Sequence, residues 1–228
     1  EVKREIDYIQ ESAKKIELTK EQEETYNEIK MSENKNILLY GITGSGKTEI
    51  YIKVIKEMIK DGKTAIMLVP EISLTPQIVS RFMSEFNTKV AVLHSGLSDG
   101  ERYDEYRKIV NKEVNIVIGA RSAIFAPLEN IGIIIIDECG SQSFKQDSDP
   151  KYNAIDIAIM RGKYHNAYVI MGSATPLLEQ YARGEKGIFK LISLTKRVSN
   201  NMPQINIINM NEEVKKRNFI ISSELKTK

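Results

Sequence analysis

The stretch GITGSGKT, residues 41–48, fits the spacing G-x-x-x-x-G-K-[ST]. A phosphate carries negative charge and many acceptor oxygens, so it needs donors at short range with no side chains in the way. Gly44 and Gly46 let the backbone curl so that the amides of Gly41, Ile42, Thr43, Ser45 and their neighbours can point inward. A helix starting after the loop adds its positive N-terminal end. Lys47 then reaches the outer phosphates, and the Thr48 hydroxyl is placed to ligate Mg²⁺. Further on, IIIIDE (133–138) delivers Asp137 and Glu138 at the end of an apolar run. Asp137 suits a metal-bound nucleotide, and Glu138 suits orienting or deprotonating an attacking water. The expected cofactors are therefore ATP and Mg²⁺.

These residues need rigid elements behind them. NILLYG (36–41) is short, apolar and glycine-ended, which predicts a buried strand leading into the loop. In EIYIKVIKEMIKDG, Tyr51, Val54, Ile55, Met58 and Ile59 fall on one helical face, and Gly62 stops the helix. A strand before and a helix after argue against a chance glycine-rich turn. TAIMLVP, KVAVLHS, VNIVIGA, IGIIIID, AYVIMGSA and FKLISL predict six more strands, with helices over SLTPQIVSRFMSEF, SDGERYDEYRKIV and about 152–162 and 176–183. Ser73 is the expected cap of the first of these helices, with Pro76 in its first turn. Strand–helix alternation at this spacing predicts an α/β fold, a mostly parallel sheet with helices on both faces. Residues 1–17 read as a polar lead-in helix, 18–194 as the main lobe, and 195–228 as a connecting segment with one further strand, QINIINM.

The 228 residues are 41% hydrophobic and 28% charged, a globular composition. Lys and Arg number 33 against 31 Asp and Glu, which excludes a strongly basic chain but not a local nucleic-acid surface. One cysteine excludes an internal disulfide and a cysteine-cluster zinc site, so no zinc is expected in this chain. There is no secretory signal, and no apolar run nears the roughly 20 residues that span a membrane, so the expected place is the cytoplasm, with no membrane partner. Both ends read as cuts from a longer protein. His94 is expected to order a loop and His165 to lie on the surface.

Six further stretches follow the loop in order: VPEISLTPQ (69–77), HSGLSDGER (94–102), GARSAIFAP (119–127), IIIIDE, KQDSDPKYNA (145–154) and GSATPLLE (172–179). With GITGSGKT they closely resemble the first motor lobe of the PriA family of primosomal replication-restart helicases, superfamily 2 DNA helicases. The resemblance covers about residues 18 to 210. It implies a RecA-like P-loop NTPase lobe, with Lys47, Asp137 and Glu138 as catalytic residues. It implies DNA contact or coupling through Ser73, Thr75, Arg121, Ser122, the aromatic-rich loop of Phe144, Lys145 and Tyr152, and Ser173 and Thr175 of GSAT. Forked or single-stranded DNA, other primosome proteins and single-strand-binding protein are the implied partners. Full-length relatives would couple ATP hydrolysis to 3′–5′ translocation, and one lobe alone would be nearly inactive without a second lobe and its arginine finger.

The residue types support part of this. Hydroxyls, amides and a few cations grip a strand backbone without reading sequence, and exposed aromatics stack on unpaired bases. Each residue also has a plainer role: Ser73 as a cap, Arg121 paired with a carboxylate, Phe144 as a loop anchor. Gln22 in LTKEQ can read an adenine edge or complete a capping box with Thr19, and both can hold.

The segment after the carboxylates departs from the resemblance. Cys139, Gly140 and Ser141 stand where the family carries Glu-His-Glu or a close relative, and Ile155 stands where an Arg is usual. The expectation is that the chemistry pair is intact, Cys139 is a filler, and Gly140 loosens the link to GSAT. Two rivals follow: a nucleotide-gated DNA-binding module with impaired coupling, or lobe 1 of another superfamily 2 translocase.

Overall fold

The computed structural model describes residues 17–86, 89–198, 207–215 and 220–226. The chain divides into two compact units between Val198 and Ser199. In the first, α1 (Lys20–Met31), β1 (Asn36–Gly41), α2 (Lys47–Lys60), β2 (Thr64–Leu68), α3 (Pro76–Phe86), β3 (Val90–Leu93), α4 (Asp99–Val110), β4 (Ile116–Gly119) and β5 (Ile131–Ile136) alternate. After a short hairpin of β6 (Lys145–Gln146) and β7 (Tyr152–Asn153) come α5 (Ala154–His165), β8 (Tyr168–Ser173), α6 (Leu178–Glu185) and β9 (Lys190–Leu194). The seven expected strands form one sheet in the order β3-β4-β2-β5-β8-β1-β9. Every pairing in it is parallel.

The continuous apolar strands follow from helices on both faces. Successive side chains point to opposite sides of a strand, so each strand feeds two cores. Ile37, Leu39, Ala65, Met67, Ile133 and Ile135 pack with Tyr51, Val54 and Phe82 on one face. Leu38, Ile66, Leu68, Ile134 and Ile136 pack with Ala158 and Phe189 on the other. Ile133 to Ile136 are all 0% exposed, each contributing about 1.5–3 kcal/mol by burial. The run of four isoleucines is the clamp that fixes the height at which Asp137 and Glu138 emerge.

A glutamate takes a backbone donor within one outer strand, and another takes two donors just past the other. On β3, the Val92 N–H donates to Glu105 Oε2 at 2.8 Å, from a residue only 5% exposed. Past β9, the N–H groups of Thr195 and Lys196 donate to the Glu21 carboxylate at 2.9 and 3.0 Å.

Two expectations change here. Ser73 does not cap α3: it ends a 3₁₀ turn, Glu71–Ser73, and the helix starts at Pro76 with Thr75 Oγ1 accepting from Ile78 N at 3.5 Å. Proline fixes φ at the first helical position, which moves the cap to the residue before it. In the second unit, the strand expected over QINIINM is not formed in its described part. Residues 207–209 are irregular, and Met210 opens α7 (Met210–Lys215), followed by α8 (Ser223–Lys226). Residues 204–206 and the expected lead-in helix over 1–16 lie outside the described residues. Among the described residues, no helix is long and apolar enough to cross a membrane.

Candidate nucleotide site and the face beside it

In the sheet β8 lies between β1 and β5, with Leu39 paired to Gly172 and Ile136 to Met171. The phosphate loop, GSAT and the two carboxylates therefore leave three adjacent strand ends. They face a cavity of about 540 Å³ lined by Gly44, Lys47, Thr48, Asp137, Glu138 and Thr175 among others.

The loop has the backbone that its glycines were expected to supply. Gly44 and Gly46 stand at φ 79 and 77, the left-handed region that favours glycine. Gly46 caps α2, so the helix N-terminus begins inside the loop. A Cβ on Gly46 would also stand 2.3 Å from Gln22 Nε2. Ile42 N donates to Leu194 O at the end of β9 at 3.2 Å, and Val198 N, beyond that strand, donates to Gly44 O at 3.0 Å. Lys47 Nζ donates to Gly41 O at 2.6 Å, folded across the loop. Burial pulls the Lys47 ammonium down from its ordinary value, opposed by Asp137 and Glu138. Thr43 is exposed at the loop's tip. Ser45 Oγ is buried without a hydrogen-bond partner.

Gln22 completes the capping box and braces the phosphate loop in this arrangement. Thr19 N donates to its Oε1 at 2.8 Å, completing the capping box, and its Nε2 donates to Ser45 O at 2.8 Å. At 2% exposure its amide is turned into the loop.

At the end of β5, Asp137 N donates to Leu68 O at 2.9 Å. Its carboxyl is raised above the usual range by burial, countered by Tyr51 and Lys47. Glu138 takes φ 50, uncommon for a residue with a Cβ, and its side chain is exposed. Thr48, Asp137 and a phosphate offer hard oxygen ligands, the donor set that suits Mg²⁺ held by few carboxylates. The unpartnered Ser45 hydroxyl and the two left-handed glycines fit a phosphate-binding loop.

The turn after Asp137 and Glu138 is tighter than its sequence suggested. A Cβ on Gly140 would stand 2.3 Å from Thr175 O. Glycine here permits backbone contact with GSAT and does not loosen it. Cys139 N donates to Gly172 O at 3.0 Å, and Gln180 Nε2 donates to Cys139 O at 2.9 Å. Cys139 is 0% exposed and burial pushes its thiol up to about 12, as suits a filler. Ser173 is 3% exposed and its Oγ accepts from Thr175 N at 3.0 Å, so it shapes the loop and cannot touch DNA in this arrangement. Thr175 itself is exposed.

The neighbouring face carries the other expected residues. Ser73 Oγ, freed from capping, donates to Glu138 Oε2 at 3.2 Å. Arg121 does not pair with a carboxylate: its guanidinium donates to Lys145 O at 2.6 Å and lies over the Tyr152 ring at 5.6 Å. Tyr152 meets Phe125 edge-on at 5.0 Å. Ser122 and Lys145 are exposed, Lys145 pairing with Asp147 at 3.3 Å. Phe144 is 1% exposed in the second core and anchors the loop, which excludes base stacking by that ring as it stands. A second cavity of about 610 Å³ opens here, lined by Arg102, Tyr106, Arg121, Phe125 and Tyr152 among others. His94 Nδ1 accepts from Gly96 N at 3.1 Å, ordering its loop as expected. His165 is half-buried in the last turn of α5.

Sequence reasoning missed Gln180, Phe125 and the bond from Tyr51 Oη to Asp137 Oδ1. Tyr51 stands one helical turn from Lys47, a signal readable in the sequence; Gln180 Oε1 accepts from Leu177 N at 2.9 Å, but a leucine at the cap gives no capping-box pattern to read. Nothing local marked Phe125.

Residues 19–183 match the DEAD/DEAH box helicase family. The chain is 52% identical over 208 residues to the replication restart protein PriA of Bacillus subtilis (strain 168), covering 89% of this chain and 26% of that protein. It is 46% identical over 205 residues to PriA of Chlamydia muridarum (strain MoPn / Nigg), covering 87% and 27%. The chain thus spans about a quarter of the length of these relatives. Among solved structures it resembles RecG bound to a three-way DNA junction, with a TM-score of 0.60 at 23% identity over 83% of this chain and 25% of that one. It also resembles the DUF1998 helicase MrfA bound to DNA, at 0.57 and 17% identity over 79% and 27%. These likenesses show the fold, a RecA-like lobe, and the sequence comparisons bear out the resemblance read from the motifs.

Proposed function

The chain belongs to the DEAD/DEAH box helicase family and is PriA-like within it, and from that premise we propose that it is the ATP–Mg²⁺-binding motor lobe of a replication-restart DNA helicase. The observation that carries the proposal is the meeting of the phosphate loop, the Asp137–Glu138 pair and GSAT on adjacent strand ends around one cavity. In this reading the amides of residues 41–48 cradle the phosphates, and Lys47 exchanges Gly41 O for them. Thr48 and Asp137 would hold Mg²⁺, which when bound would supply positive charge beside the outer phosphates. Glu138 orients the attacking water.

The DNA strand backbone is assigned to the face of Thr75, Ser122 and Lys145. Arg121, Phe144, Ser173 and Tyr152 support that face and pass its state onward. Ser73 sits between the two sites, donating to Glu138 from the DNA-facing segment. DNA that captures the Ser73 hydroxyl would release Glu138 for catalysis. The full-length protein would couple ATP hydrolysis to 3′–5′ translocation on forked or single-stranded DNA in the cytoplasm, beside other primosome proteins and single-strand-binding protein. The tight contact at Gly140 favours this motor over a nucleotide-gated module with a broken link.

The test is calorimetric titration of this chain with ATP and Mg²⁺. Lys47→Ala removes the one cation in the loop and should weaken binding more than about tenfold, in line with a charge-assisted contact worth about 1.5–3 kcal/mol. Unchanged affinity would overturn the assignment.

A further inference from the structure

We propose that Tyr51 is the positioning residue for Asp137, fixing which carboxylate oxygen is offered to the metal; this rests on the reading of the cavity as an ATP–Mg²⁺ site. Tyr51 follows Lys47 by four residues and Thr48 by three, so all three share one face of α2. Its side chain is 0% exposed, and its hydroxyl donates to Asp137 Oδ1 at 3.0 Å. The direction of the bond is fixed by chemistry. Burial, then the Asp137 charge, hold the phenol neutral far past its ordinary value, so it is the donor and the carboxylate the acceptor.

The space for this bond is cut out of the neighbouring strand. A Cβ on Gly172 would stand 1.7 Å from Tyr51 Oη and 3.4 Å from Asp137 Oδ1. Gly172 sits on β8, between the strand of the phosphate loop and the strand of the carboxylates. Gly172 therefore leaves room for the bond between Tyr51 and Asp137, as Gly140 leaves room for the Thr175 carbonyl. With Oδ1 held by the phenol, the carboxylate cannot turn freely, and Oδ2 is the oxygen left for the metal beside Thr48. An unrestrained carboxylate would have to be oriented at the moment of metal binding, at a cost in affinity that the phenol has already met. Tyr51 touches neither nucleotide nor water in this scheme and is not itself catalytic.

The experiment uses this 228-residue chain and a fluorescent ADP, titrated once with Mg²⁺ and once in EDTA. The unaltered chain sets the gain in affinity that Mg²⁺ provides. Tyr51→Phe keeps the ring and removes only the hydroxyl. We expect its affinity in EDTA to fall less than about twofold while the Mg²⁺-dependent gain shrinks about tenfold, the size expected for one hydrogen bond to a charged group. Mn²⁺ in place of Mg²⁺ gives an independent readout, since the resonance of bound Mn²⁺–ADP should change between the two chains. Equal losses with and without metal would show a packing role only, and an unchanged Mg²⁺ gain would show no role; either overturns the proposal. If the unaltered chain itself gains nothing from Mg²⁺, the nucleotide reading fails instead. Gly172→Ala, which drives a methyl into the place of the phenol oxygen, should reproduce in the tyrosine chain the selective loss of the Mg²⁺-dependent gain. That single variant keeps the question open to refutation if Tyr51→Phe proves poorly folded, and an unchanged Mg²⁺ gain in it would overturn the proposal.

Discussion

The candidate nucleotide site and the surface proposed to face DNA lie side by side at the same end of the sheet, and they are held by different kinds of contact. Around the nucleotide site the ties are backbone to backbone or use buried amides: Cys139 to Gly172, Val198 to Gly44, Gln22 to Ser45, Gly140 against Thr175. On the DNA-facing surface the ties are side-chain bonds in partly exposed loops: Arg121 to Lys145 O, Ser73 to Glu138, Tyr152 against Phe125. The first kind tolerates almost no added atom. The second can be broken and remade at low cost, because an exposed hydrogen bond nets only about 0.5–1.5 kcal/mol. A motor needs both: a rigid cradle for chemistry, and a surface that changes partners when a strand arrives.

The contrast can be broken in several ways. The largest effect concerns what neither region supplies. An arginine finger is worth roughly 10³ to 10⁵ in rate, and none is assigned within the two regions. This chain alone should turn over ATP slower than a full-length protein by a factor of that order, with or without single-stranded DNA. Phosphate-release kinetics checks it; rapid turnover abolished by Glu138→Gln would mean that the cradle is complete by itself.

Next comes Gly140→Ala. A methyl driven against a backbone carbonyl overpacks by about 1–3 kcal/mol, which at about 2–4 °C per kcal/mol lowers Tm by several degrees. Ser122→Ala, on the other surface, should shift Tm by less than about 2 °C while weakening single-stranded DNA binding of the full-length protein. Equal melting temperatures for the two variants would erase the distinction between rigid and adaptable sides.

Ser73→Ala probes the bond that joins the regions. In the full-length protein it should raise DNA-free hydrolysis by about two- to tenfold, the range set by one exposed hydrogen bond, and leave ATP affinity within a factor of about two. A fall in hydrolysis would show that Ser73 supports Glu138 and does not restrain it.

The smallest effect lies behind the cradle. Tyr26 donates to Glu57 between α1 and α2, and burial, then that bond, push its phenol up to about 12. A pKa raised in the folded state means that the neutral phenol stabilises fully below its ordinary value near 10. That stability is lost as pH rises toward 12. Tyr26→Phe should therefore flatten the alkaline fall of Tm in that window, by a small amount because the site is mostly solvated. Parallel curves for the two chains would refute it.

How much of this was legible in the sequence follows the same division. The seven strands, the helices between them and the phosphate loop could be read because they depend on apolar periodicity and on backbone conformations that only certain residues adopt. Gly44, Gly46 and the four isoleucines carry those demands openly. The cap of α3 was misplaced by two residues because a serine and a threonine both preceded Pro76, and the proline's position decides between them. For Phe144 the resemblance implied DNA contact or coupling and the residue type alone allowed a loop anchor; its burial, which decides for the anchor, depends on the second core, which no local pattern reveals. Gly140 was read as slack because a missing side chain looks like freedom until the backbone packed against it is known. Arg121 to Lys145 O, and Tyr51 to Asp137 across 86 residues, are contacts that only the sheet order creates.

The glutamates at the two outer strands have a consequence for assembly. A parallel sheet with open edges is a template on which any extended segment can add itself as another strand, from a partner or from a second unfolding copy. Glu105 occupies the donor of Val92 on β3, and Glu21 occupies the donors of Thr195 and Lys196 just past β9. A strand approaching β3 meets a carboxylate where it needs an amide, and its own carbonyls would face that negative charge. Strand addition is thereby discouraged at that edge, while Glu21 closes the donors by which the edge would run on past β9.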